Sequence, residues 1–525
     1  MSDRPVTEVA YSLCDVLMRQ SRGARSSHTA ISDGVHRMSY AALCERALGY
    51  ASVLKAAGVN QGDRVAVFLP RSAEAAVALF ATWFAGGVAV VINERLRSRQ
   101  VHHIVEHSEA TAILTDTRQL ASVSQCPRGR VINIDEVPPA AAGPAEAIIG
   151  ADLALLIYTS GSTGLPKGVM VTHDNLLWGA KIVADYLHLT DQDVILSVLP
   201  FSFDYGLNQL LTAILVGGTL VIQRSLLPRD ICETLKRERI TGLPGVPTLW
   251  LQLCGQHSPF LKTGFPALRY LTNTGGHLPE HAVRQIRTAH PDAQIHLMYG
   301  LTEAFRSTFL PPDEVDRRPS SIGKAIPNVE ILVINEAGNR CEPGEVGELV
   351  HRGATVSRGY WRDPDSTAGR FRPHPIDGRR IGNTELVVFS GDLVKTDTEG
   401  YLYYVGRKDK LMKSRGVRVS PEEIESCIYA SALVSHVVSF SVPRGEGDND
   451  LVVAVVPSDA ARFCEVALQE FCKNEMPEYM WPHVVWTQPV FPLTTSGKPD
   501  RCRIEEMYVE HCQAAATAAR AARAS

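Results

Sequence analysis

With 525 residues the chain is too long for one small domain, since single domains commonly run to about 100–200 residues. Its composition, 45% hydrophobic and 21% charged with 40 Gly and 31 Pro, is that of a folded globular protein and excludes disorder and collagen-like repeats. Lysine and arginine number 53 against 57 acidic residues, a net charge of −4 that leaves no basic excess for a phosphate backbone and argues against nucleic acid as the main partner.

The first residues, MSDRPVTEVAYSLCDVL, carry acidic side chains and no basic-then-apolar leader, and the last match no lipidation or retention signal, so a cytoplasmic protein is expected. The 11 cysteines form no Cys-x-x-Cys pair and none lies beside a His at zinc-ligand spacing; they are expected to be buried apolar fillers.

Along the chain, the pattern predicts a helix over 40–57, a strand over 64–69, and an alanine-rich helix starting near Ser72. Ala75–Ile92 reaches the length of a membrane span, but Gly86-Gly87 divides it into helix, turn and the β-branched strand Val88–Ile92. A helix over 99–106 and strands over 111–115 and 153–159 follow. Strands spaced by helices predict parallel α/β sheets. Val137–Ala147 and Phe371–Leu386 read as surface connections. From about Val329 the chain turns to short strands and Gly-containing turns, predicting a small β-rich subdomain over about 329–408. Ser420-Pro421-Glu422-Glu423 has the serine, proline and glutamate of a helix-starting capping box. Strands over 434–442 and 451–456 and a helix spanning 467–474 complete a compact α+β domain over about 409–508. The alanine- and arginine-rich tail, 509–525, reads as a frayed helix.

The densest chemical signal is Tyr158-Thr159-Ser160-Gly161-Ser162-Thr163-Gly164-Leu165-Pro166-Lys167-Gly168, between an apolar strand and the strand-like Val169–Thr172. Backbone amides freed by glycine, hydroxyl donors and one ammonium are the groups that hold a polyphosphate. It is not a Walker A loop, because Pro166 stands where the second glycine belongs and Gly168 where Ser or Thr must follow the lysine.

Together, YTSGSTGLPKGV at 158–169, YGLTE at 299–303, SGDLVKTDTEGYLYYVGRKDK at 390–410, KSRGVRVSPEEIE at 413–425 and PLTTSGKPDR at 492–501 resemble the signature motifs of the adenylate-forming enzymes. That family includes acyl-CoA synthetases, peptide-synthetase adenylation domains and firefly luciferase. The motifs occur in the family's order over about residues 30–505.

The resemblance implies a large N-terminal ATP- and acid-binding domain, 1–408, of helix-flanked sheets with the β-rich subdomain, and a small mobile C-terminal lid, 409–508. It implies that a carboxylate attacks the α-phosphate of ATP, and that a thiol of coenzyme A, or of a carrier-protein phosphopantetheine, then takes the acyl group. Thr159, Ser160, Gly161, Ser162, Thr163, Gly164 and Lys167 would enclose the β- and γ-phosphates. Thr302 would bond the α-phosphate and Glu303 bring Mg2+. Asp392 and Arg407 would hold the ribose, Gly275 and Gly276 the adenine, with Tyr299 and Gly300 at its other face and Arg418 near the phosphates. Lys498 would be the catalytic lysine, Asp409 the hinge and Gly416 part of the thiol tunnel.

For the acid, Phe203, Asp204 and Ala304 fall at the pocket positions. Phe203 stands where acyl-CoA synthetases usually carry a histidine-bearing Phe-His stretch. Asp204 stands where peptide-synthetase domains keep an aspartate for the substrate ammonium, but it equally suits a cap for a helix over 207–215. The stretch Pro373–Leu386 departs from the family's Trp-containing approach to the ribose aspartate. GLNQLLTAIL with YGLTEAFRSTFLPPDEVDRRPSSIGKAIPN is similar to a bacterial subgroup of AMP-forming acyl-CoA ligases associated with exosortase gene clusters. No carrier-domain pattern follows Arg501, so free CoA or a separate carrier protein is the expected acceptor. The alternatives are a stand-alone ligase loading a carrier protein, and an inactive nucleotide-binding regulator; the latter is disfavoured by the presence of Lys498, Glu303 and Asp392 together.

Overall fold

A computed structural model describes residues 10–524 except 35, 160–165, 377–384, 409–411, 415–416, 445–447 and 495–496; for 413–414, 417–418, 443–444, 448–449 and 515–524 it describes the backbone alone. Asp409, Gly416 and Ser160–Gly164 therefore lie outside the described residues, and of Arg418 only the backbone, on the strand Val417–Val419, is described.

In the first sheet, Arg130–Asn133, Ala112–Thr115, Arg64–Phe68, Val88–Val91 and Leu153–Thr159 pair in that order, all parallel, and Lys167–Thr172 closes it as an antiparallel hairpin partner. Near-continuous apolar runs such as Val-Ala-Val-Val suit strands covered on both faces. In the second sheet, Thr29–Ser32, Thr219–Ile222, Val194–Ser197, Gly242–Gly245, Tyr270–Asn273 and Gln294–Tyr299 are parallel neighbours. Between the two sheets runs a shared helical layer. One core joins Val65 and Val67 of the first sheet and Ile31, Leu220 and Ile222 of the second to the helices Tyr40–Ala56, Ala73–Phe84, His173–Tyr186 and Asp204–Val216. Ala73–Phe84 begins at Ser72, whose hydroxyl accepts from the Ala75 amide, and every residue from Ala75 to Phe84 is buried. Among the described residues no helix is long and apolar enough to cross a membrane.

The β-rich stretch does not form a sheet of its own. Ser321–Ala325 pairs with Thr308–Leu310 on one side and Leu402–Arg407 on the other, so Leu386–Thr396, Gly347–Gly353 and Val329–Ile334 extend the second sheet antiparallel, to fourteen strands among the described residues. The connection beginning at Phe371 is partly structured too, since Phe371–Pro373 pairs with the start of Leu386–Thr396.

The C-terminal part has its own core, Ile424 and Ile428 of the helix Pro421–Ala430 against Val453 and Val455 of Asp448–Pro457 and Leu468 of Glu465–Glu475. The hydroxyl of Ser420 accepts from the Glu423 amide as expected, but it donates to the Glu422 carboxylate. Cys464, Cys502 and Cys512 are exposed, which corrects the expectation that the cysteines are buried: Cys502 and Cys512 lie on the terminal helix Arg501–Ala524 and Cys464 before a surface helix.

Candidate active site

Four neighbouring parallel strands of the second sheet end side by side, and the chain leaving each supplies part of one cluster. Phe203 and Asp204 follow Val194–Ser197, Thr248 follows Gly242–Gly245, Thr274–Gly276 follow Tyr270–Asn273, and Gly300–Glu303 follow Gln294–Tyr299. The carboxyl ends of parallel strands are where α/β sheets bind ligands, because the loops there are free to diverge from the ladder.

At Gly275 the backbone is left-handed (φ +80), and a Cβ there would lie 3.3 Å from Cε of Lys498, 3.5 Å from its Nζ and 3.5 Å from the Phe203 ring. Lys498 thus enters the cluster from the C-terminal part. Its loop is tied by Thr494, whose amide donates to the Lys498 carbonyl (2.7 Å) and whose hydroxyl accepts from the Lys498 amide (3.2 Å). It is latched to the large part by Thr248, whose hydroxyl donates to the Gly497 carbonyl at 2.7 Å. One such bond contributes about 1 kcal/mol. Thr248→Ala is accordingly expected to lower the rate of any step that needs Lys498 at Gly275 by about fivefold, measured as single-turnover rates, with nucleotide affinity unchanged.

Asp392 and Arg407 face one another across antiparallel neighbours. The Arg407 Nε lies 3.3 Å from Asp392 Oδ1, its Nη2 donates to the Ser390 carbonyl (3.2 Å), and the Tyr299 hydroxyl donates to Asp392 Oδ2. Burial raises the Asp392 carboxyl above the usual range, with Arg407 and Tyr299 pulling the other way. The Tyr299 ring stacks on the buried His351, whose imidazole is held down to about 3 by desolvation.

Glu303 sits in the short 3-10 turn Thr302–Ala304, with Ala304 fully buried, and accepts from the Tyr360 hydroxyl at 2.5 Å. Across the face of Tyr360, 5.6 Å from its centroid, lies the ammonium of Lys167, which also donates to Ser366 and stands 3.4 Å from Asp363. Lys167 and Thr159 are opposite each other in the hairpin, so the ends of the polyphosphate-type loop are adjacent. Tyr360 comes close because residues 358–361 pair with the strand Lys167–Thr172, through Met170 to Gly359 (2.9 Å) and Trp361 to Gly168 (2.7 Å). No sequence motif marks Tyr360, Asp363 or Ser366 as part of the site; Asp363-Pro364 is legible as a helix start, and Asp363 does cap Pro364–Arg370.

Asp204 corrects the expected helix. The helix starts at Asp204 itself, with Phe203 at the cap, rather than at Leu207. The Asp204 carboxylate is buried, accepts from the Tyr205 amide at 2.7 Å, and lies 3.9 Å from the guanidinium of Arg306, a residue to which the sequence reading assigns no role. Desolvation raises its carboxyl, against the pull of Arg306 first, then of the Tyr205 amide and then of Lys498.

Among the described residues no group of three His, Cys, Asp or Glu is placed to hold a metal ion by itself. A lone carboxylate such as Glu303 is what Mg2+ uses when substrate phosphates supply its other ligands, so the donor set fits a metal that arrives with a nucleotide.

The profile of the AMP-binding enzymes matches residues 18–361, and that of their C-terminal domain residues 423–498. The chain belongs to the AMP-binding enzyme family. This AMP-binding enzyme is 30% identical over 485 residues to a feruloyl-CoA synthase of Amycolatopsis sp, covering 91% of this chain and 95% of that one. It is 32% identical over 473 residues to a linear gramicidin synthase of Brevibacillus parabrevis, covering 88% of this chain but only 9% of that polypeptide's length. The o-succinylbenzoate coenzyme A synthetase of Bacillus subtilis, solved with ATP and magnesium, superposes with a TM-score of 0.81 at 25% identity, covering 93% of this chain and 99% of the other. The fold is that of the adenylate-forming enzyme superfamily.

Proposed function

We propose that this ligase condenses a carboxylic acid with ATP and passes the acyl group to coenzyme A. The observation that carries the reading is the meeting of Lys498 with Gly275 and Phe203 at the sheet end from which the chain bearing Glu303 also leaves, the Tyr299 of that strand being bonded to Asp392. In the first step a carboxylate oxygen bonds to the α-phosphorus while the α–β bridging bond breaks, and pyrophosphate leaves. Lys498 would lie between the carboxylate and the α-phosphate, where negative charge accumulates; a cation fixed there before reaction lowers the barrier without reorganising solvent. Asp392 would accept from the ribose hydroxyls, with Arg407 beside it, and Gly275 and Gly276 leave the backbone open to a flat base. Lys167 and the residues of its loop would take the leaving pyrophosphate, and Thr302 the α-phosphate. Glu303 would hold Mg2+, which when bound neutralises phosphate charge as a Lewis acid. In the second step the thiol sulfur attacks the acyl carbon, loses its proton, and AMP departs. Asp409 is proposed as the pivot that withdraws Lys498 for this step and brings Gly416 to the thiol, whereas Arg418 is proposed to stand near the phosphates in the first step.

Similarity to a feruloyl-CoA synthase over nearly the whole length of both chains supports coenzyme A as the acceptor. The second reading, loading of a carrier protein, is supported by similarity to a segment of a peptide synthetase. The test is a panel of fatty, aryl and amino acids with ATP and Mg2+, read as acid-dependent pyrophosphate release, followed by trial of coenzyme A and of a phosphopantetheinyl carrier protein. Thioester on coenzyme A upholds the first reading, thioester only on the carrier the second, and no acid-dependent pyrophosphate release would refute both.

A further inference from the structure

Arg306 is 3% exposed, three residues beyond Glu303. The chain reaches it through Phe305, whose φ of +23 is strained, and it packs against the start of the same turn: a Cβ on Gly300 would lie 3.5 Å from the Arg306 Cα and 3.8 Å from its Nη1. Its guanidinium lies 5.2 Å over the Tyr205 ring and 5.5 Å over Phe305. Nη1 donates to the Phe305 carbonyl at 3.0 Å and is 3.9 Å from Asp204 Oδ2. Nε and Nη2 are buried, and neither has a hydrogen-bond partner among the described residues. One turn along the helix from Asp204, the buried Asn208 has an amide nitrogen in the same condition.

A guanidinium has five N–H donors in a rigid fork and keeps its charge at any physiological pH. Burying one with two donor nitrogens unpaired is costly unless a further acceptor completes it. The position says where that acceptor comes from. Phe203 reaches the point above Gly275 that Lys498 also reaches, and Asp204, the next residue, faces Arg306. The activated carboxylate belongs at Lys498, so Arg306 stands on the acyl-chain side of it. Arg306 also neutralises Asp204 from within, at the position where a substrate ammonium would otherwise sit.

We propose that Arg306 determines substrate specificity by binding an oxygen acceptor on the acyl chain, so that the preferred acid carries a second carboxylate, or a hydroxyl or carbonyl oxygen, besides the carboxylate that is activated. This inference rests on the acid-activating reading above. Nε and Nη2 form the two-pronged edge that suits a carboxylate, and Asn208 adds a neutral donor one helical turn away.

The test is titration calorimetry of the wild-type protein and of Arg306→Met with length-matched aliphatic and aryl acids in four forms: unsubstituted, dicarboxylate, hydroxy or oxo, and α-amino. Hydroxamate trapping of the adenylate with the same acids is run in parallel. The wild-type protein is expected to bind and adenylate an oxygen-bearing acid at least tenfold better than its unsubstituted match. Arg306→Met is expected to erase that preference with the ATP KM unchanged, and Arg306→Lys to restore part of it. Preference for the dicarboxylate over the hydroxy acid identifies an anionic acceptor, and the reverse a neutral one; both uphold the proposal. Wild-type preference for the unsubstituted or the α-amino acid, or an oxygen preference that survives in Arg306→Met, overturns it. The wild-type panel decides alone if the methionine variant does not fold. Selective binding without adenylate from any acid upholds the Arg306 inference while refuting acid activation.

Discussion

Replacing Lys498 with alanine is expected to slow adenylate formation by about 10²–10³-fold, the usual consequence of removing one preorganised charge-stabilising donor. The side chain is placed by three short polar contacts, two within the turn to Thr494 and one from Thr248 to Gly497, and Gly497 itself holds a left-handed φ of +84. These contacts use backbone groups of Gly497 and Lys498, so they survive truncation, which removes the ammonium and the stem that carries it to Gly275. The measurement is acid-dependent exchange of labelled pyrophosphate into ATP, with thioester formation from supplied acyl-adenylate as the control. Exchange should collapse and thioester formation survive, because the lysine is proposed to serve the first step alone. Wild-type exchange rates would remove Lys498 from the mechanism. A parallel loss of both activities would make it a general latch between the two parts of the chain.

Much of the architecture is legible in the sequence because its signals are local. The β-branched run after Gly86-Gly87 and the serine before Ala73 specify a strand and a capped helix with no help from distant residues. The start of the helix at Asp204 is hidden for a physical reason. Gly206 in its first turn reads as a helix breaker, yet a Cβ there would lie 2.1 Å from the Pro200 carbonyl, so the glycine is required by close approach and not by a turn. The continuation of the second sheet through Ser321–Ala325 is equally illegible, since alternation marks a strand and says nothing of which strand it joins.

The site divides in the same way. Residues inside contiguous motifs, such as Glu303, Asp392 and Lys498, are proposed from the resemblance alone. Tyr360 and Asp363 meet Lys167 only because a stretch almost two hundred residues later pairs with its strand. Arg306 sits in the polar run Arg306-Ser307-Thr308, which reads as surface until the Phe305 turn folds it inward. Charge patterning locates a buried cation only when its counter-charge is near in sequence, and Asp204 is about a hundred residues away.

The second large effect is expected at Asp392. Its carboxylate accepts from the Tyr299 hydroxyl and faces an Arg407 that is 35% exposed. Solvent weakens a pair of that kind, so the ion pair contributes little to stability and does not by itself account for a carboxylate buried to 8%. Asp392 Oδ1 is buried with no hydrogen-bond partner among the described residues, an acceptor that ligand hydroxyls would complete. Two hydrogen bonds to a charged acceptor contribute about 1.5–3 kcal/mol each, so Asp392→Ala should raise the ATP KM by about 10²-fold or more, with the KM for the acid changed less than about threefold. Alanine also leaves the Tyr299 hydroxyl unpaired, at a cost of about 1–3 kcal/mol in unfolding free energy, which chemical denaturation will register. Asp392→Asn separates the two effects. The amide keeps the shape and one acceptor for Tyr299, so stability should hold, while its NH2 group faces a ribose hydroxyl with a donor instead of an acceptor and the ATP KM should still rise about tenfold. An asparagine variant with wild-type ATP KM would leave Asp392 a partner of Tyr299 and Arg407 with no part in holding the nucleotide.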